Sequence, residues 1–411
     1  MPTALVLVQN PVTHDARVLR AAGVLRDVGY EPVIVGSVEP GARETELEIE
    51  GFRVVRLLGR FATARDRLRQ HAARDPAPGA ADGQSARPAR AFLRRLAVTL
   101  LFNAEGIALA YRLSPALVHA NDYPTMWIAL AAKLLRRSKV VYDAHELWPD
   151  QGRPEWRPWQ LACEWLFVHL ADATVAANSG ISDTIARRYR MAAPVVVRNV
   201  PKQVLESPPR GEGARAGNSP LAVHAGTMTP ERGIEFAIEA LASVPGLRLR
   251  LIGGSSDEYR AELDSHAVAA GVADRVEHRP PVAPDDVAEA VAVADFGLIL
   301  TQPTCLNNVL SLPNKLFEYA AAGLPILAGD LPLIGTLVRE EQLGETVPPT
   351  DVQAIAEAMR RLADPERNAE LRERVRSFAE RETWTEERRL LEEVYALLGA
   401  PRSRREATAA S

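Results

Sequence analysis

Residues 312–330 read LPNKLFEYAAAGLPILAGD, a short helical segment followed at once by a buried strand. Pro313 suits the first helical turn, where its missing N–H is not needed, and Gly323 suits the left-handed position past the helix end. The N-terminus of a helix carries positive partial charge, so Lys315 is unfavourable there unless an anion such as phosphate binds nearby. The alternative is a solvated surface lysine paired with Glu318 one turn on. This stretch alone leaves both readings open.

The same alternation of strands and helices runs along the chain. Short runs of β-branched and apolar residues alternate with segments of helical periodicity. The predicted strands are 4–10, 31–37, 52–58, 115–122, 138–146, 173–178, 221–226, 247–254, 275–280, 296–301 and 325–330. Such alternation produces parallel strands joined by right-handed crossovers and covered by helices on both faces. The sequence therefore predicts an α/β protein with two doubly wound, Rossmann-like domains.

The length of 411 residues exceeds what one hydrophobic core usually supports, so two domains are expected. The boundary is predicted at 201–220, which is rich in proline, glycine and charge and has no apolar period. We expect an N-terminal domain at 1–200, containing a mobile loop at 72–90, and a C-terminal domain at 221–380. Terminal helices are predicted at 352–363 and 366–398. We expect residues 381–411 to pack back on the N-terminal domain and to end in a disordered tail.

The net charge of −4 is unevenly distributed. Residues 1–200 carry 26 Lys and Arg against 20 Asp and Glu, a surplus of +6, and the remainder of the chain is at −10. This surplus tolerates an anionic partner but is too small to indicate a nucleic acid. The two cysteines, Cys163 and Cys305, belong to no metal or disulfide pattern, and no signal peptide is visible, so we expect a cytoplasmic protein.

The segment 90–113 is apolar on one side and begins with Arg90, Arg94 and Arg95. Such a helix could lie on an anionic membrane surface, which predicts a peripheral contact with the inner membrane. A packing helix with solvated arginines is the alternative. Glu105 and Arg112 exclude a segment that spans the membrane.

Several longer strings resemble one enzyme family. In the second half these are GTMTPERGIEFAIEAL (226–241), LRLRLIGG, VADFGLIL, the stretch quoted above and LGETVPPTD. In the first half, DARVLRAAGVLRDVGYEPVIV, VHANDYPTMWIALAAKLLRRSKVVYDAHELWPD and VVRNVP fit the same pattern. The chain thereby resembles the retaining glycosyltransferases of family 4, which have the two-domain GT-B fold. The resemblance implies a nucleoside-diphosphate-sugar donor bound between the domains, a hydroxyl acceptor, and no metal or other cofactor.

The resemblance also implies roles for residues of the second half. Arg232, before the glycine of the first loop and helix, is expected to contact the donor diphosphate. Lys315 and the N–H groups around Asn314 would meet its phosphates, and Glu318 would bind the ribose hydroxyls. The loop that begins at Gly226 borders the same site.

The chain departs from the family pattern at two places in the donor site. The family commonly has a glutamate eight residues before Glu318 that recognises the transferred sugar, and here this position is Leu310. The family's arginine after Gly226 is replaced by Thr227. The identity of the sugar is therefore left open.

In the first half the resemblance implies a catalytic and acceptor side. Asn121 and Asp122 would border the sugar and the acceptor, and Asp122 could orient or deprotonate the acceptor hydroxyl. The alternative for Asp122 is a helix N-cap. His145 and Glu146 would shape the acceptor side. The remaining residues expected along the cleft are Asp15, Arg17 and Asn199.

The predicted function is thus transfer of a sugar to a hydroxyl acceptor, in the biosynthesis of a bacterial polysaccharide, glycolipid or glycoconjugate. A lipid-linked acceptor would suit the positive surplus of the first half. The alternatives are a natural-product glycosyltransferase and a catalytically silent protein that binds a nucleotide sugar. A dinucleotide-dependent oxidoreductase is disfavoured, because no Gly-x-Gly-x-x-Gly follows a strand.

Overall fold

The computed structural model describes residues 1–13, 15–39, 44–59, 87–151, 156–206 and 219–400, with only the backbone described at 87–96. Within this part the first sheet has eight strands in the order β3-β4-β2-β1-β5-β6-β7-β8. All neighbours pair in parallel except β3 and β4, which are antiparallel. The strands are β1 (Thr3–Leu7), β2 (Glu31–Ser37), β3 (Glu46–Ile49), β4 (Phe52–Leu57), β5 (Leu117–Asn121), β6 (Lys139–Ala144), β7 (Ala173–Ala176) and β8 (Val195–Val196).

The second sheet has six parallel strands in the order β11-β10-β9-β12-β13-β14. Its strands are β9 (Leu221–Ala225), β10 (Arg248–Ile252), β11 (Val276–Arg279), β12 (Phe296–Ile299), β13 (Ile326–Gly329) and β14 (Gly344–Val347). The strands of both sheets are short runs of mainly apolar residues, as expected of strands that are buried on both faces. The prediction of two Rossmann-like α/β domains is confirmed.

Helices cover both faces of each sheet. Those that belong to the first half are α1 (Ala16–Asp27), α2 (Arg87–Leu113), α3 (Met126–Arg136), α4 (Arg157–Leu170) and α5 (Ser179–Tyr189). The others are α6 (Ile234–Leu241), α7 (Asp257–Ala269), α8 (Val287–Val291), α9 (Leu306–Val309), α10 (Asn314–Ala321), α11 (Ile334–Glu340), α12 (Val352–Ala363), α13 (Pro365–Arg381) and α14 (Trp384–Leu397).

The N-terminal sheet separates two hydrophobic cores. Helices α2 to α5 contribute residues such as Phe102, Ile128 and Phe167 to the core on one face. Helix α1 covers the other face together with α14, which places Leu391 and Tyr395 beside Val18 and Leu25. The last helix of the chain therefore packs on the first domain, not on the second domain that it follows.

The terminal helices differ from the prediction in one respect. The periodicity predicted a single helix over 366–398, but the structure has two, α13 and α14, separated at Glu382 and Thr383. Thr383 has extended backbone angles, so the chain turns there and α14 can cross to the other domain. The single-helix prediction was wrong because an amphipathic pattern on both sides of a turn looks continuous in sequence.

The predicted loop at 72–90 falls largely outside the described residues, as do most of the linker and the predicted tail. Residues 87–90 are described, and they are helical, since α2 begins at residue 87. The predicted loop thus ends earlier than expected. No helix in the described residues is both long enough and apolar enough to cross a bilayer.

Candidate functional site

The first cluster of polar side chains lies where β5 and β6 end. Asn121 is the last residue of β5, and Asp122 follows it with a positive φ of 63°. His145 follows β6, and its backbone N–H donates to the Asp122 carboxylate at 2.9 Å. The carboxyl ends of neighbouring parallel strands share one edge of the sheet, and ligands bind at this edge in open α/β sheets. The structure therefore brings together the three residues that were expected to be catalytic.

The His145 ring lies among acceptors. Its Nε2 is 3.0 Å from Asn121 Oδ1 and 3.4 Å from Asp143 Oδ2, and its Nδ1 is 3.4 Å from Asp122 Oδ2. Burial alone would lower the pKa of His145, but the attraction of the Asp122 and Asp143 carboxylates outweighs it and raises the pKa to about 9. His145 is thus held as a cation that donates hydrogen bonds at neutral pH.

Asp122 does not cap the helix that follows it. Its side chain makes no capping bond to the 3₁₀ turn Tyr123–Thr125 and instead holds the backbone and ring of His145. Burial raises the pKa of Asp122 in spite of the attraction of His145. The N-cap alternative is therefore wrong, and the positive φ directs the carboxylate towards the residues after β6.

Asp143 is a site residue to which the sequence analysis gave no role of its own. Its carboxylate accepts two hydrogen bonds from the Arg17 guanidinium, at 2.6 and 2.9 Å, and contacts His119 Nε2 at 3.1 Å. Behind His119, the Tyr395 hydroxyl of α14 lies 3.0 Å from Nδ1. Burial would raise the pKa of Asp143, but Arg17, His145 and His119 hold it well below its usual range. A buried carboxylate that remains ionised thus faces His145.

The expectation that Arg17 lines the cleft is not met. Its side chain is buried, and besides the two bonds to Asp143 it donates to Val197 O at 2.6 Å. A guanidinium with its donors committed in this way has little capacity left for a substrate. Arg17 belongs to the support of Asp143.

Asp15 and Asn199, which were also expected along the cleft, bond to partners other than Asp122, Asp143 and His145. Asp15 caps α1 by accepting from Val18 N and also accepts from Asn10 Nδ2 at 2.7 Å. Asn199 Oδ1 accepts from Arg20 Nη1 where the chain leaves the first domain.

Glu146 marks the approach of the two domains. It is an exposed side chain whose Oε2 accepts from Gln151. The protein atoms around the carboxylate displace part of its hydration and raise its pKa, although Arg232 of the second domain lies near enough to lower it in part. Glu146 therefore stands at the cleft edge opposite the donor side.

Lys315 is the central residue on the opposite side of the cleft. It lies in the first turn of α10 with only 9% of its surface exposed, and its Nζ is 3.2 Å from His224 Nε2 at the end of β9. Burial, together with repulsion by Arg232, lowers the pKa of Lys315 to about 7. Burial likewise raises the pKa of Glu318, one turn further on, to about 7. The solvated-lysine alternative is wrong, since this lysine is buried.

Backbone and small residues complete this side. Gly226 has a φ of 114°, and a Cβ there would lie 3.6 Å from Lys315 Nζ, so the loop passes directly over the ammonium. Thr227 and Asn314 are exposed beside it. Arg232, half-buried, ends the 3₁₀ turn Pro230–Arg232.

His224 was also missed by the sequence reasoning. It is buried under Lys315, and burial, Lys315 and Arg232 together lower its pKa well below the usual range. A neutral imidazole can accept a hydrogen bond from the ammonium group and keep it in place. The sequence offered only a lone histidine inside a strand, which is no signal for such a role.

The two sides are joined by contacts between the domains. Leu147 N of the first domain donates to Asn307 Oδ1 of the second at 2.8 Å, and Asn178 Nδ2 donates to Leu310 O at 3.2 Å. The Leu310 side chain packs against the core of the first domain. Leu310 thus serves as a contact between domains. Among the described residues, no group of three His, Cys, Asp or Glu side chains is placed to hold a metal ion.

Two family models match the chain, one in each domain. The model described as "Glycosyltransferase Family 4" matches residues 16–199, and "Glycosyl transferases group 1" matches residues 219–365. The chain belongs to the family 4-type glycosyltransferases. The sequence-based prediction of this family is confirmed.

Other known proteins agree with this glycosyltransferase assignment. A D-inositol 3-phosphate glycosyltransferase of Acidothermus cellulolyticus is 28% identical over 225 residues, which cover 49% of this chain and 49% of that protein. The chain thus spans about half the length of the curated relatives it matches.

Solved structures confirm the GT-B fold. Sucrose-phosphate synthase from Thermosynechococcus elongatus superposes with a TM-score of 0.70 at 17% identity and covers 100% of both chains. Anabaena HepE, solved in complex with UDP and glucose, gives a TM-score of 0.66 at 16% identity over 96% of this chain and 100% of its own. At these identities the likeness concerns the fold alone.

Proposed function

We propose that this glycosyltransferase moves a sugar from a nucleoside-diphosphate sugar to a hydroxyl acceptor with retention of anomeric configuration. The observation that carries the proposal is the pair Lys315 and Arg232, which repel each other where the Gly226 loop passes over the Lys315 ammonium. Bringing like charges together in a buried place is unfavourable unless an anion binds between them. A diphosphate has the charge and the oxygen acceptors that such a site needs.

The donor site would work without a metal ion. Lys315 and Arg232, with the N–H groups at the start of α10, supply positive charge where the diphosphate leaves. Glu318, one turn along the same helix, would accept hydrogen bonds from ribose hydroxyls. The complex of Anabaena HepE with UDP and glucose supports a nucleotide sugar as the ligand class of this fold.

The proposed chemistry needs no carboxylate nucleophile. The bond between the anomeric carbon and the phosphate oxygen breaks while the acceptor oxygen bonds to the same face of that carbon. The acceptor proton passes to the leaving phosphate oxygen. His145, held as a cation by Asp122 and Asp143, supplies positive charge beside the sugar and the acceptor, and Asp122 orients the acceptor hydroxyl.

The proposed pathway is the biosynthesis of a bacterial polysaccharide, glycolipid or glycoconjugate, carried out in the cytoplasm with an acceptor that is linked to lipid. The relative from Acidothermus cellulolyticus, a D-inositol 3-phosphate glycosyltransferase, supports an acceptor that carries a phosphate. Contact of residues 90–113 with the inner membrane surface would bring the acceptor to the cleft. The side chains of Arg90, Arg94 and Arg95 lie outside the described residues.

A thermal-shift panel of UDP-, GDP- and ADP-sugars tests the proposal. A bound donor at about a hundred times its dissociation constant adds roughly 2.7 kcal/mol of stability, which is easily measured. Arg232→Ala should weaken donor use by about 2–4 kcal/mol in transition-state terms, because it removes a charged contact to the diphosphate. Arg367→Ala, which removes an exposed arginine of α13 paired with Glu370, is the matched control and should change little.

Two outcomes would contradict the proposal. If no nucleotide sugar or nucleoside diphosphate raises the melting temperature, the region around Lys315 and Arg232 does not bind a nucleotide-sugar donor. If donors bind but free sugar is never released on long incubation, the chain is a silent nucleotide-sugar-binding protein.

A further inference from the structure

Three neighbouring helices of the N-terminal domain have apolar outer faces. On α2 every exposed position between residues 97 and 111 is apolar, the members being Ala97, Leu100, Leu101, Ala104, Ala108 and Tyr111. The only charged residue in that stretch, Glu105, directs its carboxylate to Leu58 N at 2.6 Å. Hence about four turns of helix present hydrocarbon to the outside.

The faces of α3 and α4 continue this surface. Leu134 and Leu135 are 79% and 57% exposed at the end of α3, and Trp159 and Trp165 are 65% and 52% exposed on α4. Exposed tryptophans and leucines at this density are unusual on a soluble domain, and large apolar patches mark interaction sites.

The three helices form one surface because they cover the same face of the sheet and touch one another. The Arg136 guanidinium of α3 stacks on the Tyr111 ring of α2 at 3.7 Å. The Trp127 ring of α3 meets Phe167 of α4 edge to face at 4.9 Å. We call the exposed side of α2, α3 and α4 the apolar helix face.

The charges around the apolar helix face are basic. Exposed basic residues gather where α2 and α3 end, namely Arg112, Arg136 and Arg137, whereas the neighbouring Lys133 and Lys139 are paired with Asp172. The sequence has no acidic residue between 126 and 139, and on α4 the single acid, Glu164, is buried between the Tyr142 and Tyr189 hydroxyls. The face thus combines exposed leucine and tryptophan with a positive rim.

We propose that the apolar helix face docks on an anionic lipid bilayer, with the tryptophans and leucines in the interfacial layer and the arginines on lipid phosphates. Tryptophan and leucine favour this interface, and each basic residue near an anionic surface adds to the attraction. A second copy of the chain fits less well, because a two-fold contact would set the basic rim against itself. The inference extends the proposed membrane contact of 90–113 to α3 and α4 and rests on the proposed lipid-linked acceptor for its purpose.

Co-sedimentation of the full chain with vesicles tests the docking. We expect binding to vesicles of phosphatidylcholine and phosphatidylglycerol in equal parts, little binding to phosphatidylcholine alone, and weaker binding at high salt. Leu134→Ser with Leu135→Ser should lower the partition coefficient at least about tenfold, since transfer of one leucine side chain from water contributes a factor of about ten or more. Arg112→Gln with Arg137→Gln should remove most of the preference for the anionic vesicles.

Matched controls come from α7 of the other domain. Val268 is 69% exposed there, and Arg260 is exposed on the same helix. Val268→Ser and Arg260→Gln should leave vesicle binding unchanged. The melting temperature of each variant shows that it folds.

Three results would overturn the docking proposal. The first is no binding of the parent protein to anionic vesicles at low salt. The second is an equal loss of binding in the α7 controls. The third is a dimer in light scattering that Leu134→Ser with Leu135→Ser dissociates, which would assign the face to a second copy. The thermal-shift panel with nucleotide sugars is run on the same samples. Because it measures donor binding and not membrane binding, it distinguishes failure of the docking proposal from failure of the proposed function.

Discussion

At the scale of single residues, the site depends on one buried carboxylate. Asp143 links Arg17 and His119 on its inner side to His145 on the cleft side. Because an ionised carboxylate only accepts, His119 Nε2 carries a proton, and in the neutral ring Nδ1 is left to accept from the Tyr395 hydroxyl. The chain Tyr395, His119, Asp143 therefore fixes the orientation of the group that keeps His145 charged.

Replacement of this carboxylate should be costly to stability. Asp143→Asn leaves the Arg17 guanidinium buried without a counter-charge, and breaking a buried pair in this way costs about 3–5 kcal/mol. Urea unfolding at pH 7 measures the loss. The control is Glu46→Gln, which breaks an exposed pair with Arg53 and should cost less than about 1 kcal/mol. A similar small loss in both variants would contradict the role given to Asp143.

At the scale of the element, most helices and strands could be predicted, because buried parallel strands are short apolar runs that differ clearly from amphipathic helices. The strand β3 was missed, although Glu46 to Ile49 alternates charged and apolar residues as an edge strand does. Strands β8 and β14 were missed as well. Strand β8 has only two residues, which is too short for a pattern of apolar residues to predict a strand.

The site was predicted less completely than the fold. Positions at strand ends, such as Asp122 and His145, were found because loops after parallel strands converge. Tyr395 was not found, since its partner His119 lies 276 residues away and sequence carries no information on that distance. The burial of Lys315 and of its neighbour His224 depends on how β9 packs against α10, which likewise is absent from the residue pattern.

Helix α10 places two groups with displaced pKa values one turn apart, so donor binding should be linked to protons. A bound diphosphate favours charged Lys315, whose pKa is about 7 without an anion, so the lysine takes up a proton on binding. Glu318, with a pKa of about 7, would release a proton if it binds ribose as a carboxylate, which has the opposite sign. The two effects offset each other in the parent protein near pH 7.

The Glu318→Gln variant separates them. The substitution removes the proton that Glu318 would release. It also removes the Glu318 charge, whose attraction raises the pKa of Lys315, so that more of the free lysine is neutral at pH 7. Binding of a nucleoside diphosphate at pH 7 should therefore take up between about half a proton and one proton. The apparent dissociation constant should then rise above pH 7 by up to about tenfold per pH unit. Calorimetry in two buffers of different ionisation enthalpy counts the protons. The double variant Lys315→Met with Glu318→Gln is the control for protons on the nucleotide itself, and equal uptake with and without Lys315 would refute the linkage.

At the scale of the whole molecule, the two domains are held together from both sides of the linker. Arg198 donates from its backbone N and its Nε to Glu387 of α14, at 2.6 and 2.7 Å, which fastens the returning helix to the end of the first domain. On the cleft side, Asn178 and Leu147 bond to the loop that contains Asn307 and Leu310. The last helix thus belongs to the first domain's core. Opening of the cleft must break the contacts of Asn178 and Leu147 with the second domain, but it leaves the bonds between Arg198 and Glu387 intact.

A single added methyl group should shift the equilibrium between the closed and the open cleft. Gly180 is the second residue of α5, and a Cβ there would lie 2.7 Å from Leu333 Cδ1 and 3.3 Å from Leu310 Cβ, both in the second domain. Gly180→Ala should therefore act as a wedge that favours an open cleft. Because apparent affinity scales with the closed fraction, we expect donor binding to weaken roughly threefold to tenfold, with a larger radius of gyration in solution scattering. Gly23→Ala in α1, where a Cβ would meet nothing within 4 Å, is the control and should change neither. Unchanged scattering and affinity in Gly180→Ala would mean that Leu333 moves aside and that closure does not depend on this contact.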